Sequence, residues 1–188
     1  MIVRRIIVGV ANRNTLFFGK VKKYFYIFST VLKCSKSSRI DWNTKIDLNS
    51  LSSNSYVQLG GGTHIKGYAI LAPRNGYIKI GNNCSINPYC FLYGYGGITI
   101  GNHVRIASGS KIIAFNHNFN NVDLPISKQG NSCKGIIIEN NVWIGANVTI
   151  LDGVTILEGC VIAAGSVLSK STEFKGVYAG VPAKLIKK

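Results

Sequence analysis

The aliphatic residues of this chain recur at a fixed step of six. Ile138, Ile144, Ile150, Ile156, Ile162 and Leu168 run without a break. Four positions after each stands a small or β-branched residue: Val142, Val148, Val154, Cys160, Ser166 and Thr172. The same phase holds for Ile80, Ile86 and Leu92, and again for Ile100, Ile106 and Ile112 after two extra residues. A weaker set, Leu59, Ile65 and Leu71, precedes them. A step of six is neither the 3.6 of a helix nor the simple alternation of one long strand. It suits short strands joined by turns, each pointing one large aliphatic side chain inward. Three such strands close a triangular coil, so the chain returns above its start every 18 residues. Repeats of this kind bury a continuous core by stacking neighbours. The expected fold is all-β, a parallel β-helix.

The pattern has one long break. Between Ile112 and Ile138 lies AFNHNFNNVDLPISKQGNSCKG, which carries no repeat. Unstructured insertions of this length in compact domains are usually functional or disordered. The insertion opens at His117, where a coil gives way to the loop. Histidine has the side-chain pKa nearest neutrality, which suits removal of a proton from a hydroxyl. His64 and His103 fall at variable corner positions and read as exposed turn residues. A metal site built from the three histidines would require distant coils to converge, so no metal is expected.

The stretch IIIENNVWIGANVTILDGVTILEGCVIAAGSVLSK (136–170), followed by YAGVPAKLIK (178–187), carries a clear likeness. The chain resembles the hexapeptide-repeat acyltransferases over roughly residues 57–188. Within them it is most similar to the galactoside, maltose and xenobiotic O-acetyltransferases and to enzymes that O-acetylate polysaccharides or sialic acid. The likeness implies a left-handed helix with acetyl-CoA as acyl donor and no metal. It also implies a homotrimer with each active site between two subunits.

Carried over residue by residue, the resemblance makes His117 the general base, 18 residues after Thr99 in the Thr99-Ile100-Gly101 segment. Ala146 and Ala164, one coil apart, would line the donor groove. Ser169, Lys170, Lys184 and Lys187 would meet the cofactor phosphates. The last two stand where the family has arginine, and lysine offers a point charge in place of a planar fork. Trp143 would pack on the pantetheine arm or the acceptor, and Asn87 would line the acceptor site. Tyr89, Phe91, Tyr93 and Tyr95 offer aromatic faces for a sugar or for packing. The group that orients His117 is left open among Asp123, Glu139 and a backbone carbonyl.

Composition adjusts this picture in two places. Lys and Arg number 22 against 7 Asp and Glu, a formal charge of +15, yet only 15% of residues are charged and 46% are hydrophobic. A disordered polycation is excluded. Nine of the basic residues and none of the acids fall in residues 1–39. Leu16, Phe17, Phe18, Val21, Tyr24, Phe25, Phe28 and Leu32 recur there at roughly helical spacing. The expected division is a basic helical segment over 1–40, the β-helix over 41–175 with a loop over 118–137, and a tail over 176–188. The segment would cap the solenoid or touch an anionic membrane surface.

The five cysteines form no CxxC pair, so they read as reduced thiols in a cytoplasmic protein. Met1–Val10 lacks the apolar stretch and cleavage site of a secretory signal, and no stretch suits a spanning helix.

The expected function is acetyl-CoA-dependent O-acetylation of a sugar or glycan in cell-surface polysaccharide biosynthesis, without nucleic acid. N-acetylation of an amino sugar or drug, and a non-catalytic β-helix scaffold, are the alternatives.

Overall fold

The computed structural model describes residues 31–47, 52 and 54–188. They wind into about six turns of a left-handed parallel β-solenoid. Three sheets make the faces of the prism. The first face stacks Leu32–Cys34, Tyr56–Leu59, Tyr77–Ile80, Ile98–Ile100, Ile136–Ile138 and Thr155–Ile156. The second stacks Arg39–Ile40, His64–Ile65, Ser85–Ile86, Arg105–Ile106, Trp143–Ile144 and Val161–Ile162. The third stacks Lys45–Ile46, Ile70–Ala72, Phe91–Tyr93, Lys111–Ile113, Thr149–Ile150 and Val167–Leu168.

The period of six works as the pattern demands. Ile100 pairs in register with Ile138 and Ile138 with Ile156 on the first face. Ile106, Ile144 and Ile162 do the same on the second, and Ile112, Ile150 and Leu168 on the third. All nine are buried. Each contributes on the order of 1.5–3 kcal/mol by leaving water. The small residue of each repeat is buried too, because it sits where the chain turns the corner into the next strand. Val104 and Val142 fill such corners, and Cys84, Cys90 and Cys160 do so as small hydrophobes. The Cys84 and Cys90 thiols donate to the carbonyls of Gly101 and Ala107, both at 3.1 Å.

The corners need residues that tolerate a left-handed backbone. Between the first and second faces these are Gly62, Asn83, His103, Asn141 and Gly159. An asparagine ladder binds this corner: the side-chain oxygens of Asn82, Asn102 and Asn140 accept the N–H groups of Gly61, Asn82 and Asn102 at 2.7–2.8 Å. Between the second and third faces the left-handed positions are Tyr68, Tyr89, Gly109, Asn147 and Gly165. Tyr68 and Tyr89 stack there with ring centroids 5.2 Å apart.

Three boundaries differ from expectation. Among the described residues the β-helix is already present at Leu32, ahead of the expected 41, and Leu32 is a buried strand residue on the first face, where a helix was expected. A three-residue strand carries too short a pattern to separate from helical spacing. The rest of the expected helix, residues 1–30, lies outside the described residues. The loop ends at Gly135, because Ile136 already pairs with Ile98. The expected tail is a hairpin: Val177–Gly180 joins the second face and Ala183–Lys187 folds back antiparallel to it. Tyr178 plugs the end of the aliphatic ladder above Ile162. Its hydroxyl accepts the N–H groups of Glu173 and Phe174 and donates to the Phe174 carbonyl.

Candidate active site

The insertion leaves the prism at the corner between the third and first faces. Ala114 N–H still donates to the Tyr93 carbonyl, as a coil residue would. The chain then departs as a two-stranded hairpin in which Asn116 pairs with Ser132 and His117 with Asn131. Gln129 organises the far end: its side chain donates to the carbonyls of Asn121 and Leu124 and accepts the Asn121 N–H. The returning strand is tethered by Asp152 on the coil above. Its carboxylate accepts the Lys134 N–H at 2.9 and 3.0 Å and the Gly135 N–H at 2.9 Å. The 20 residues 115–134 are thereby held at both ends.

His117 is exposed on this hairpin. Among the described residues neither ring nitrogen has a hydrogen-bond partner. The open question of its orienting group receives a different answer from the acids considered. Asp123 stands exposed in the loop, and the Glu139 carboxylate accepts the Glu158 N–H at 2.8 Å. What touches the imidazole is Phe115, edge to face, with centroids 4.8 Å apart and planes at 86°. Phe115 in turn packs on Tyr93 at 5.6 Å and Tyr95 at 5.3 Å. Phe91 extends this aromatic patch along the third face at 5.7 Å from Tyr93. Arg74, ion-paired with Asp47 at 3.2 Å, lies 5.4 Å over the Tyr93 ring. Tyr89 is not part of this patch, since it stacks on Tyr68 at another corner.

His64 is not the exposed turn residue expected. It lies in a second-face strand, half-buried, with Nε2 2.8 Å from Asp41 Oδ1. His103 does occupy an exposed left-handed turn. Among the described residues no three His, Cys, Asp or Glu side chains group as a metal site.

Ala146 and Ala164 stack at the corner between the second and third faces, and Gly165 N–H donates to the Ala146 carbonyl. Among the described residues the N–H groups of Ala146 and Ala164 have no partner. They stand about 4.8 Å apart along the axis, the spacing of adjacent strands. A Cβ placed on Gly165 would meet nothing within 4 Å, so this corner presents bare backbone. Such a strip of free donors fits the amide-bearing arm of a coenzyme A thioester.

Lys184 pairs with Ala179 and Lys187 with Val177 in the terminal hairpin of the second face. Ser169 and Lys170 are exposed just after the last third-face strand, across that face from Ala164. The four expected phosphate residues are thus divided between the end of the third face and the terminal hairpin of the second. Trp143 is 57% exposed on the second face, in register with Arg105 and Val161. Asn87 lies two coils below Gly145 at the end of the second face. Its side-chain N–H₂ donates to the Ile106 carbonyl at 2.7 Å.

One chain thus brings some expected residues together and separates others. Ala146 and Ala164 share a corner. His117 rises from a different corner, which the second face bearing Trp143 does not border. Asp152, Gln129 and Phe115 were missed by the sequence reading. Asp152 could have been found, since it lies 18 residues, one coil, after Lys134. Phe115 could have been found from strand alternation, which sets residues 115 and 117 on the same side of an extended segment.

Residues 135–170 match the family model described as bacterial transferase hexapeptide (six repeats). The match covers the last two full coils of the solenoid, where the step of six is unbroken. Over 120 residues it is 36% identical to an Escherichia coli (strain K12) protein named "Putative lipopolysaccharide biosynthesis O-acetyl transferase WbbJ", covering 60% of this chain and 61% of that protein. The chain thus spans about three fifths of that relative's length. Among solved structures it resembles AntD, an N-acyltransferase from Bacillus cereus in complex with dTDP and 3-hydroxybutyryl-CoA, with a TM-score of 0.72, 24% identity and 87% of each chain covered. It also resembles a hexapeptide transferase family protein from Anaplasma phagocytophilum, with a TM-score of 0.57, 20% identity and coverages of 83% and 82%. Both structural likenesses are likenesses of fold.

Proposed function

We propose that this protein is an acetyl-CoA-dependent O-acetyltransferase acting on a hydroxyl of a sugar or glycan in cell-surface polysaccharide biosynthesis. The observation that carries the reading is His117: an exposed imidazole, with no hydrogen-bond partner among the described residues, on the hairpin that leaves the coil between Lys111–Ile113 and Ile136–Ile138. The name of the Escherichia coli relative supports the substrate class.

In this reading a His117 ring nitrogen accepts the proton of the acceptor hydroxyl as its oxygen attacks the thioester carbonyl. The C–S bond then breaks, and the departing thiolate takes up a proton. No protein nucleophile is needed. The bare backbone at Ala146 and Ala164 receives the pantetheine amides, while Ser169, Lys170, Lys184 and Lys187 supply polar and cationic groups for the phosphates. Trp143 packs against the donor or the acceptor, and Asn87 presents its remaining carbonyl oxygen to the acceptor.

His117 and the Ala146/Ala164 corner lie apart in one chain, and a homotrimer would bring the hairpin of one copy to the donor corner of the next. The basic residues 1–39 would hold the enzyme at the inner face of a membrane beside lipid-linked acceptors. Among the described residues no helix is long and apolar enough to cross a membrane.

The decisive experiment is His117→Ala in a transfer assay with acetyl-CoA and candidate glycans. Loss of a general base costs about 100-fold or more. Near wild-type transfer would remove His117 from this role. A second reading, N-acylation of an amino sugar, draws on the fold likeness to AntD. A neutral amine is already nucleophilic, so His117→Ala would slow amine transfer far less than hydroxyl transfer. Paired acceptors that differ only in amine against hydroxyl separate the two readings.

A further inference from the structure

We propose that Phe115 is a positioning residue that fixes the orientation of the His117 imidazole. The inference rests on His117 being the base and names what holds it, in place of the carboxylate or carbonyl the sequence suggested. Three observations carry it. Phe115 is the side chain in ring contact with His117, at 4.8 Å and 86°. An edge-to-face pair of this kind is a preferred aromatic geometry with a directional minimum. Phe115 is itself fixed from behind, wedged against Tyr93 and Tyr95. Those rings are anchored in turn: Asn75 Nδ2 donates to the Tyr95 hydroxyl at 3.1 Å, and Arg74 lies over Tyr93 while paired with Asp47.

The coil is rigid and the hairpin projects from it. A histidine on a projecting hairpin has two free side-chain torsions, and only one combination aims a given nitrogen at an acceptor hydroxyl. The wall of Tyr93, Tyr95 and Phe115 removes that freedom by transmitting the rigidity of the third face to the imidazole. The flanking strand Asn131–Ser132 supplies backbone pairing but no charged side chain. Among the described residues no carboxylate contacts the ring, so orientation by an aromatic wall stands in for the hydrogen-bonded partner that a histidine base commonly has.

The test combines a spectroscopic and a kinetic readout. The chain has three histidines, and the His117→Ala spectrum identifies the His117 ring-proton signals. A phenyl ring at this distance displaces them by its ring current, so Phe115→Leu should move the His117 signals and leave those of His64 and His103 in place. In the transfer assay Phe115→Leu should lower kcat about 10-fold or more with KM changed less than about threefold, since misaligned geometry costs rate more than binding. Phe115→Tyr, which keeps the ring, should restore kcat to within about threefold of wild type. In a His117→Ala background Phe115→Leu should cost nothing further, because its effect passes through the imidazole.

Unmoved His117 signals together with an unchanged kcat overturn the proposal. So does a kcat loss that persists undiminished in the His117→Ala background, which would mark a structural role. Wild-type transfer by His117→Ala alone would instead refute the base assignment, while the ring-current shift would still report whether Phe115 holds the ring.

Discussion

Removing the Asp152 carboxylate should release the foot of the loop without unfolding the coil. Asp152 accepts two backbone N–H groups through three contacts of 2.9–3.0 Å, and both donors belong to the last two residues before the chain rejoins the first face. A hydrogen bond to a charged group is worth about 1.5–3 kcal/mol net. The carboxylate is half-exposed, and once it is gone both N–H groups can turn to water. The two bonds together are therefore set at about 1.5–3 kcal/mol, not at their sum. The neighbouring backbone bond from Gly153 N–H to the Gly135 carbonyl remains, so the loss is confined to local opening. At 1.4 kcal/mol per factor of ten, amide exchange across residues 131–135 in Asp152→Ala should accelerate about 10-fold to 100-fold. The first-face strand Ile98–Ile100 should exchange as before. His117 pairs with Asn131, three residues from the tether, so transfer should slow in step with loop opening. Hydrogen exchange read by mass spectrometry separates the two regions. If exchange at 131–135 stays within twofold of wild type in a folded Asp152→Ala protein, the carboxylate does not tether the loop and the reasoning fails.

Gly145→Ala should destabilise the protein by about 1–3 kcal/mol through overpacking. Its new Cβ would stand 2.6 Å from the Ala164 N and 2.9 Å from the Ile162 carbonyl oxygen, and a midpoint in urea equal to wild type would contradict this. Tyr178→Phe should cost about 1–3 kcal/mol, because the Glu173 and Phe174 N–H groups lose their shared acceptor at the closed end of the solenoid. A thermal midpoint unchanged within error would refute it. Burial pushes the Cys84 and Cys90 thiols above their ordinary value of 9.0. Above pH 9 the unfolded chain then releases protons that the folded chain keeps, so stability is intact below pH 9 and declines as pH rises past it. Cys84→Val places at this corner the residue that Val104 and Val142 supply in the coils above, and should flatten that decline. An equal slope in denaturant titrations from pH 8 to 10.5 would show that the thiol is not responsible.

The period of six was enough to place the aliphatic ladders, because each inward residue is decided by one strand and its turn. Steps of 18 go further and predict columns: Ala146 above which stands Ala164, and Lys134 above which stands Asp152. Two kinds of fact escape this reading. Strands of two or three residues leave too little pattern to fix a boundary, so Leu32–Cys34 passed for helix. Contacts of side chains that leave the coil have no period at all. Tyr89 and Tyr93 differ by four in sequence, yet the backbone turns between them, so one stacks on Tyr68 and the other supports Phe115.

The site adds a constraint that no single column expresses. A prism with three faces separates residues by corner, and His117, Trp143 and the Ala146/Ala164 pair occupy a corner, a face and a second corner. The coil cannot bend to join them, because its ladders of buried Ile and Leu run in unbroken register through both levels involved. The loop is also tied to the corner it leaves, by the Asp152 carboxylate on one side and the Ala114 N–H bond to the Tyr93 carbonyl on the other. Rigidity of the solenoid and tethering of the loop therefore push the same way. If His117 and the donor corner serve one reaction, the expected route is across two copies of the chain, and a variant pair tests it. Inactive His117→Ala chains mixed with chains disabled at the donor corner by Ala164→Trp should regain part of the transfer activity after joint refolding. No recovery in mixed oligomers would place the whole reaction within one chain.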